Sequence, residues 1–141
     1  MDAKIQSQID LIRDSVLQVI PAEAIYLFGS HAYGTPGNDS DLDIYVVVPD
    51  DTANLTERYA DIRGLLCEKK AVSLDLLIGR SSVFNRRKSA PTLEKVIAEK
   101  GTVLYVNNVR RSAKKEMLNR EKIFRYSTYN VNYVLPGHPC D

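Results

Sequence analysis

The 141-residue chain has no tryptophan, three phenylalanines, two methionines, two histidines and two cysteines. Two cysteines allow a single disulfide at most, so a disulfide-stapled scaffold is excluded. A four-ligand zinc site would have to gather Cys67, Cys140, His31 and His138, and is set aside. No apolar run approaches the ~20 residues of a membrane span. The opening MDAKIQSQID lacks the basic-then-apolar order of a secretory signal. A reducing, cytoplasmic setting is therefore expected. What is present is ordinary for a folded chain: 44% hydrophobic and 26% charged residues, enough for one core without staples or a structural metal. The length fits one domain with a short appendage.

Charge is distributed unevenly. Residues 107–141 hold seven Lys/Arg against three acids, whereas the preceding 106 residues hold twelve against fifteen. The tail is thus basic and the body acidic. A stripe of this size does not make a nucleic-acid arm by itself, and nucleic acid is not expected as a partner.

Apolar spacing divides the chain. Ile5, Ile9, Ile12, Val16 and Val19 recur at steps of three and four, which predicts a helix over 2–19, stopped by Pro21. AIYLF (24–28) reads as a strand and GSHAYGTPGNDS (29–40) as a loop that opens with a helical turn. DLDIYVVV (41–48) is a second strand. Leu55, Tyr59, Ile62 and Leu66 mark a helix with Thr52 as its candidate cap. AVSLDLLI (71–78) is a third strand, with Val72, Leu74, Leu76 and Ile78 on one face. A short basic helix is expected over 81–88. Another opens at Pro91 and ends at Gly101, and TVLYV (102–106) is the last strand. The alternation predicts an α/β (α+β) domain over 1–106: a small sheet of about four strands with helices mainly on one face. Residues 107–141 are expected to form a basic helix to about 126 and a loosely ordered end. Tyr33 and Tyr45 are expected to pack, Cys67 to fill the core, and Arg86, Arg87 and Lys88 to line a solvated helix face.

The chemistry concentrates between Tyr26 and Val48. Asp41 and Asp43 stand two apart in a strand that is otherwise Leu, Ile, Tyr and Val, so they share a face while Leu42 and Ile44 point to the core. Adjacent carboxylates repel unless a cation lies between them. Mg²⁺ binds through one or two carboxylates together with substrate phosphates, which makes this pair a natural perch. Asp75, mid-strand in 71–78, reaches the same cations if the two strands are neighbours. Three carboxylates then suffice for two Mg²⁺ ions. Gly29 permits close backbone approach to an anion, and Ser30 adds a hydroxyl donor at the start of a helical turn.

The run LFGSHAYGTPGNDSDLDIYVV resembles the DNA polymerase β-like nucleotidyltransferase superfamily, in particular its minimal nucleotidyltransferase (MNT) branch. The shared signature is Gly29-Ser30, ten residues, then Asp41-Leu42-Asp43, and VSLDLLI matches the strand that carries the third carboxylate, Asp75. The resemblance spans roughly residues 5–106; it departs at His31, where relatives often carry Arg. It implies the nucleotidyltransferase fold and transfer of a nucleoside monophosphate, AMP from ATP, to a hydroxyl. Asp41, Asp43 and Asp75 would hold Mg²⁺ (two ions), Asp75 would also help to deprotonate the acceptor, and Gly29 and Ser30 would hold the β- and γ-phosphates. MNT proteins of this length are often antitoxins that modify a tyrosine of a HEPN toxin, so a HEPN-type protein partner, or a homodimer, is expected to complete the site. The basic tail with Tyr126, Tyr129 and Tyr133 is the candidate docking segment. A free-standing transferase acting on a small molecule and a non-catalytic nucleotide- or toxin-binding module are the alternatives.

Overall fold

Isoleucine and valine at helical steps give the first helix its buried stripe. α1 runs Ala3–Val19 with Ile9, Ile12, Val16 and Val19 buried, and Asp2 caps it by accepting from the Lys4 backbone N–H at 3.1 Å. The computed structural model describes residues 2–107. The expected helix and tail beyond residue 107 therefore lie outside the described residues. After α1 come β1 (Ala24–Phe28), α2 (Ser30–Tyr33), β2 (Leu42–Val48) and α3 (Leu55–Leu66). β3 (Leu74–Arg80), α4 (Ser81–Arg87), α5 (Leu93–Lys100) and β4 (Thr102–Val106) follow.

The four strands form one mixed sheet in the order β3-β2-β1-β4. β1 pairs antiparallel with both β2 and β4, whereas β2 and β3 are parallel, joined through α3. On one face Ile25, Leu27, Leu42, Ile44, Val46, Val48, Leu74 and Leu76 pack with the buried stripes of α1 and α3. Each fully buried aliphatic side chain of this kind contributes about 1.5–3 kcal/mol. Ala24, Phe28, Tyr45 and Val47 line the other face with Phe84 of α4 and Ile97 of α5. The two long helices thus share one face, and the short pair covers part of the other. Because β2 is central and covered on both sides, its run is nearly continuous rather than alternating.

Several local expectations are corrected. β3 starts at Leu74, not at 71; the Ala71 N–H turns away from the sheet and donates to Gln8 Oε1 of α1 (2.7 Å). Thr52 does not cap α3. Its buried hydroxyl donates to Pro49 O at 2.7 Å, and Asn54 in the left-handed region (φ 57) precedes the helix instead. α5 begins two residues after Pro91, capped by Thr92, whose Oγ1 accepts from Lys95 N–H at 3.2 Å. Gly101 does end α5; a Cβ there would meet Ile97 O at 2.6 Å. Cys67 is exposed at the end of α3 rather than in the core, and Tyr33 is 43% exposed rather than packed.

Candidate functional site

The parallel junction of β2 and β3 brings two carboxylates from distant sequence side by side. Asp43 is in register with Asp75 across the junction and with Phe28 across β1. Two residues further on, Tyr45 pairs with Leu77, so both acids stand on the face that carries Tyr45 and Phe84, opposite the α1–α3 core. Leu42 and Ile44 are fully buried on the other side, which fixes this orientation by strand alternation. Asp75 is exposed and second in β3, not mid-strand, so its charge stays in water. Asp41 is exposed and immediately precedes β2.

Gly29 closes β1 and opens α2, directly beside Asp43. Its φ of 74° with ψ of −156° belongs to a region open essentially to glycine alone, and a Cβ there would collide with the Asp43 carboxylate. Ser30 is the first residue of α2, and His31 follows with Nε2 at 3.4 Å from Ser40 O. The glycine–serine corner and the acids therefore meet at one end of the sheet.

The electrostatics are one-sided. Burial first, then the charges of Asp75 and Asp41, push the Asp43 carboxyl above the ordinary carboxylate range; His31 opposes them. Among the described residues, no three His, Cys, Asp or Glu side chains stand together as a ready metal cage. Asp41, Asp43 and Asp75 thus share a field without forming a closed triad. The acids still fit Mg²⁺, which takes one or two carboxylates and draws its other ligands from water and phosphates. A divalent cation would also relieve the repulsion that raises Asp43.

Two features escape a linear reading. The first is a network beyond the acids. The Tyr45 hydroxyl donates to Glu94 Oε2 (3.2 Å), Arg87 Nε donates to Glu94 Oε1 (2.9 Å), and Phe84 packs on both Tyr26 (5.6 Å) and Tyr45 (5.4 Å). Burial, then the Glu94 charge, pushes the Tyr45 hydroxyl up to about 12. Arg87 is thus engaged with Glu94, while Arg86 and Lys88 are exposed as expected. The Tyr45 and Glu94 partners lie 49 residues apart, and no local pattern announces them. The second is a cleft of about 680 Å³ at the same end of the sheet, lined in part by Lys4, Ser30, His31, Ser40 and Ser73. Nothing in the sequence distinguishes Lys4 from any exposed first-turn lysine.

Residues 9–105 match the family model described as the nucleotidyltransferase domain. No curated protein matches the chain. Among solved structures, a toxin–antitoxin crystal structure with AMP-PNP is similar at 24% identity and a TM-score of 0.45, covering 87% of this chain and 86% of that one. A crystal structure of the toxin–antitoxin MntA-HepT is similar at 19% identity and a TM-score of 0.45, covering 89% and 90%. The tri-AMPylated Shewanella oneidensis HEPN toxin in complex with MNT antitoxin is similar at 23% identity and a TM-score of 0.41, covering 89% and 86%.

Proposed function

The chain belongs to the nucleotidyltransferase domain family, and on that premise we propose that it moves AMP from ATP to a hydroxyl acceptor, a tyrosine of a HEPN-type toxin. The observation that carries the transfer chemistry is the register of Asp43 with Asp75 beside the obligate glycine at position 29. Two acids on adjacent strands and a side-chain-free backbone corner are what a triphosphate and its counter-ions require. The acceptor is supported by the MNT-like run from Leu27 to Val47.

In this reading Gly29 and Ser30 hold the β- and γ-phosphates, the bare backbone approaching closely and the Ser30 hydroxyl donating. Asp41, Asp43 and Asp75 would hold Mg²⁺, which supplies charge neutralisation and polarisation of the phosphoryl oxygens when bound. The acceptor oxygen forms a bond to the α-phosphorus as the α–β phosphoanhydride bond breaks, and pyrophosphate departs. The acceptor proton passes to Asp75, whose exposure leaves it open to an incoming hydroxyl. A tyrosine suits this base because a phenol surrenders its proton far more readily than an aliphatic alcohol.

The test is incubation of the protein with α-labelled ATP, Mg²⁺ and a HEPN-type partner. Label is expected in the partner, falling roughly a hundredfold or more when Asp43→Asn removes one of the charges that organise the phosphoryl transfer. A folded, ATP-bound protein that leaves the partner unlabelled refutes the acceptor. Label on a small molecule without partner refutes it in favour of a free-standing transferase.

A further inference from the structure

The cleft beside Ser30 contains a lysine that the transfer chemistry above does not use. Lys4 stands in the first turn of α1 and lines the cleft together with Ser30, His31 and two acids, Asp2 and Asp39; no other lysine or arginine lines it among the described residues. The neighbouring Asp2 carboxylate accepts from the Lys4 backbone N–H, and among the described residues no acid forms an ion pair with the Lys4 ammonium. A triphosphate held at Ser30 carries about four negative charges and meets two further acids, Asp2 and Asp39, in the lining of this cleft. It needs fixed cations. His31 also lines the cleft, but its Nε2 lies 3.4 Å from Ser40 O. An ammonium is a point charge on a long flexible stem, suited to an anion that arrives from solution.

We propose that Lys4 is a further substrate-binding residue: it reaches across the cleft to the terminal phosphates of the nucleotide held at Ser30. This inference rests on the transferase reading and deepens it by assigning the phosphate end of the substrate to the cleft. Lys4 then recognises polyphosphate specifically, because a nucleoside monophosphate lacks the groups that would extend toward it.

The experiment compares ATP and AMP binding, both with Mg²⁺, by calorimetric titration of the wild type, Lys4→Met and Lys4→Arg. Lys4→Met is expected to weaken ATP binding about tenfold, the scale of one charge-assisted contact, and to leave AMP binding unchanged. Lys4→Arg should recover most of the loss. The thermal midpoint of unliganded Lys4→Met should equal that of the wild type, since the ammonium makes no ion pair in the fold. Equal ATP affinity in the wild type and Lys4→Met, or an equal loss for ATP and AMP, overturns the assignment of Lys4 alone. A wild type that binds no ATP overturns the transferase reading, and this inference with it.

Discussion

Gly29 is the position where a single methyl group would do most damage. It is strained for any other residue by its backbone angles and sterically closed by the Asp43 carboxylate. Gly29→Ala is expected to cost about 1–3 kcal/mol, the usual penalty for holding a side chain in a sparsely populated conformation. Urea midpoints should record that loss. ATP titration of the surviving folded fraction should show nucleotide affinity falling with it, because the displaced corner no longer presents its backbone to phosphate. The sequence already carried this much: glycine and serine at a strand end, ten residues, two spaced acids. It could not state that the glycine touches the second acid. That contact arises from the antiparallel pairing of Phe28 with Asp43, which is a property of the hairpin rather than of either segment.

At the level of elements, α4 and α5 are held to β2 by the Tyr45–Glu94–Arg87 network, and Gly79 makes space for it because any Cβ there would meet the Tyr45 hydroxyl. The Tyr45 hydroxyl titrates at about 12 in the fold and near 10 in a free tyrosine. The unfolded chain therefore releases this proton first. Stability from this group is complete below pH 10 and is lost as pH rises from 10 toward 12. Tyr45→Phe should abolish that part of the alkaline loss, so urea midpoints measured at pH 8 and pH 11 should lie closer together in the variant than in the wild type. All four strands were legible from β-rich apolar runs bounded by glycine, proline and aspartate. The start of β3 was not, because Ala71 gives its backbone N–H to Gln8 of α1, 63 residues away. The α3 cap was missed for a related reason. Thr52 spends its hydroxyl on Pro49, and a left-handed asparagine leaves no trace in a propensity pattern.

For the molecule as a whole, acids that repel one another inside the fold mean that function and stability pull in opposite directions. Asp43 is raised by burial, Asp75 and Asp41, so the folded state holds its proton more tightly than the unfolded chain does. The stability linked to this group is complete below the ordinary carboxylate pKa and is lost as pH rises through the folded value. At neutral pH Asp43→Asn should therefore melt slightly above the wild type, by about 2 °C given solvent screening and a domain of this size. Adding Mg²⁺ and ATP should reverse the order. At a hundredfold excess over its dissociation constant a ligand stabilises its protein by about 2.7 kcal/mol, and the variant should forgo most of that gain. Thermal melts with and without nucleotide, on both proteins, provide the check. A variant that never exceeds the wild type would show that burial and the neighbouring acids together do not burden the Asp43 charge in the fold.

The single parallel pairing in the sheet has a consequence for synthesis. β1 and β2 can zip as soon as their hairpin leaves the ribosome, but β3 reaches β2 only after all of α3 has been made and folded back. A nascent chain that ends before residue 74 displays Asp41 and Asp43 without Asp75. The completed set of three acids therefore belongs only to chains translated past the crossover, and under the proposed function a half-made protein would still lack one wall of its site.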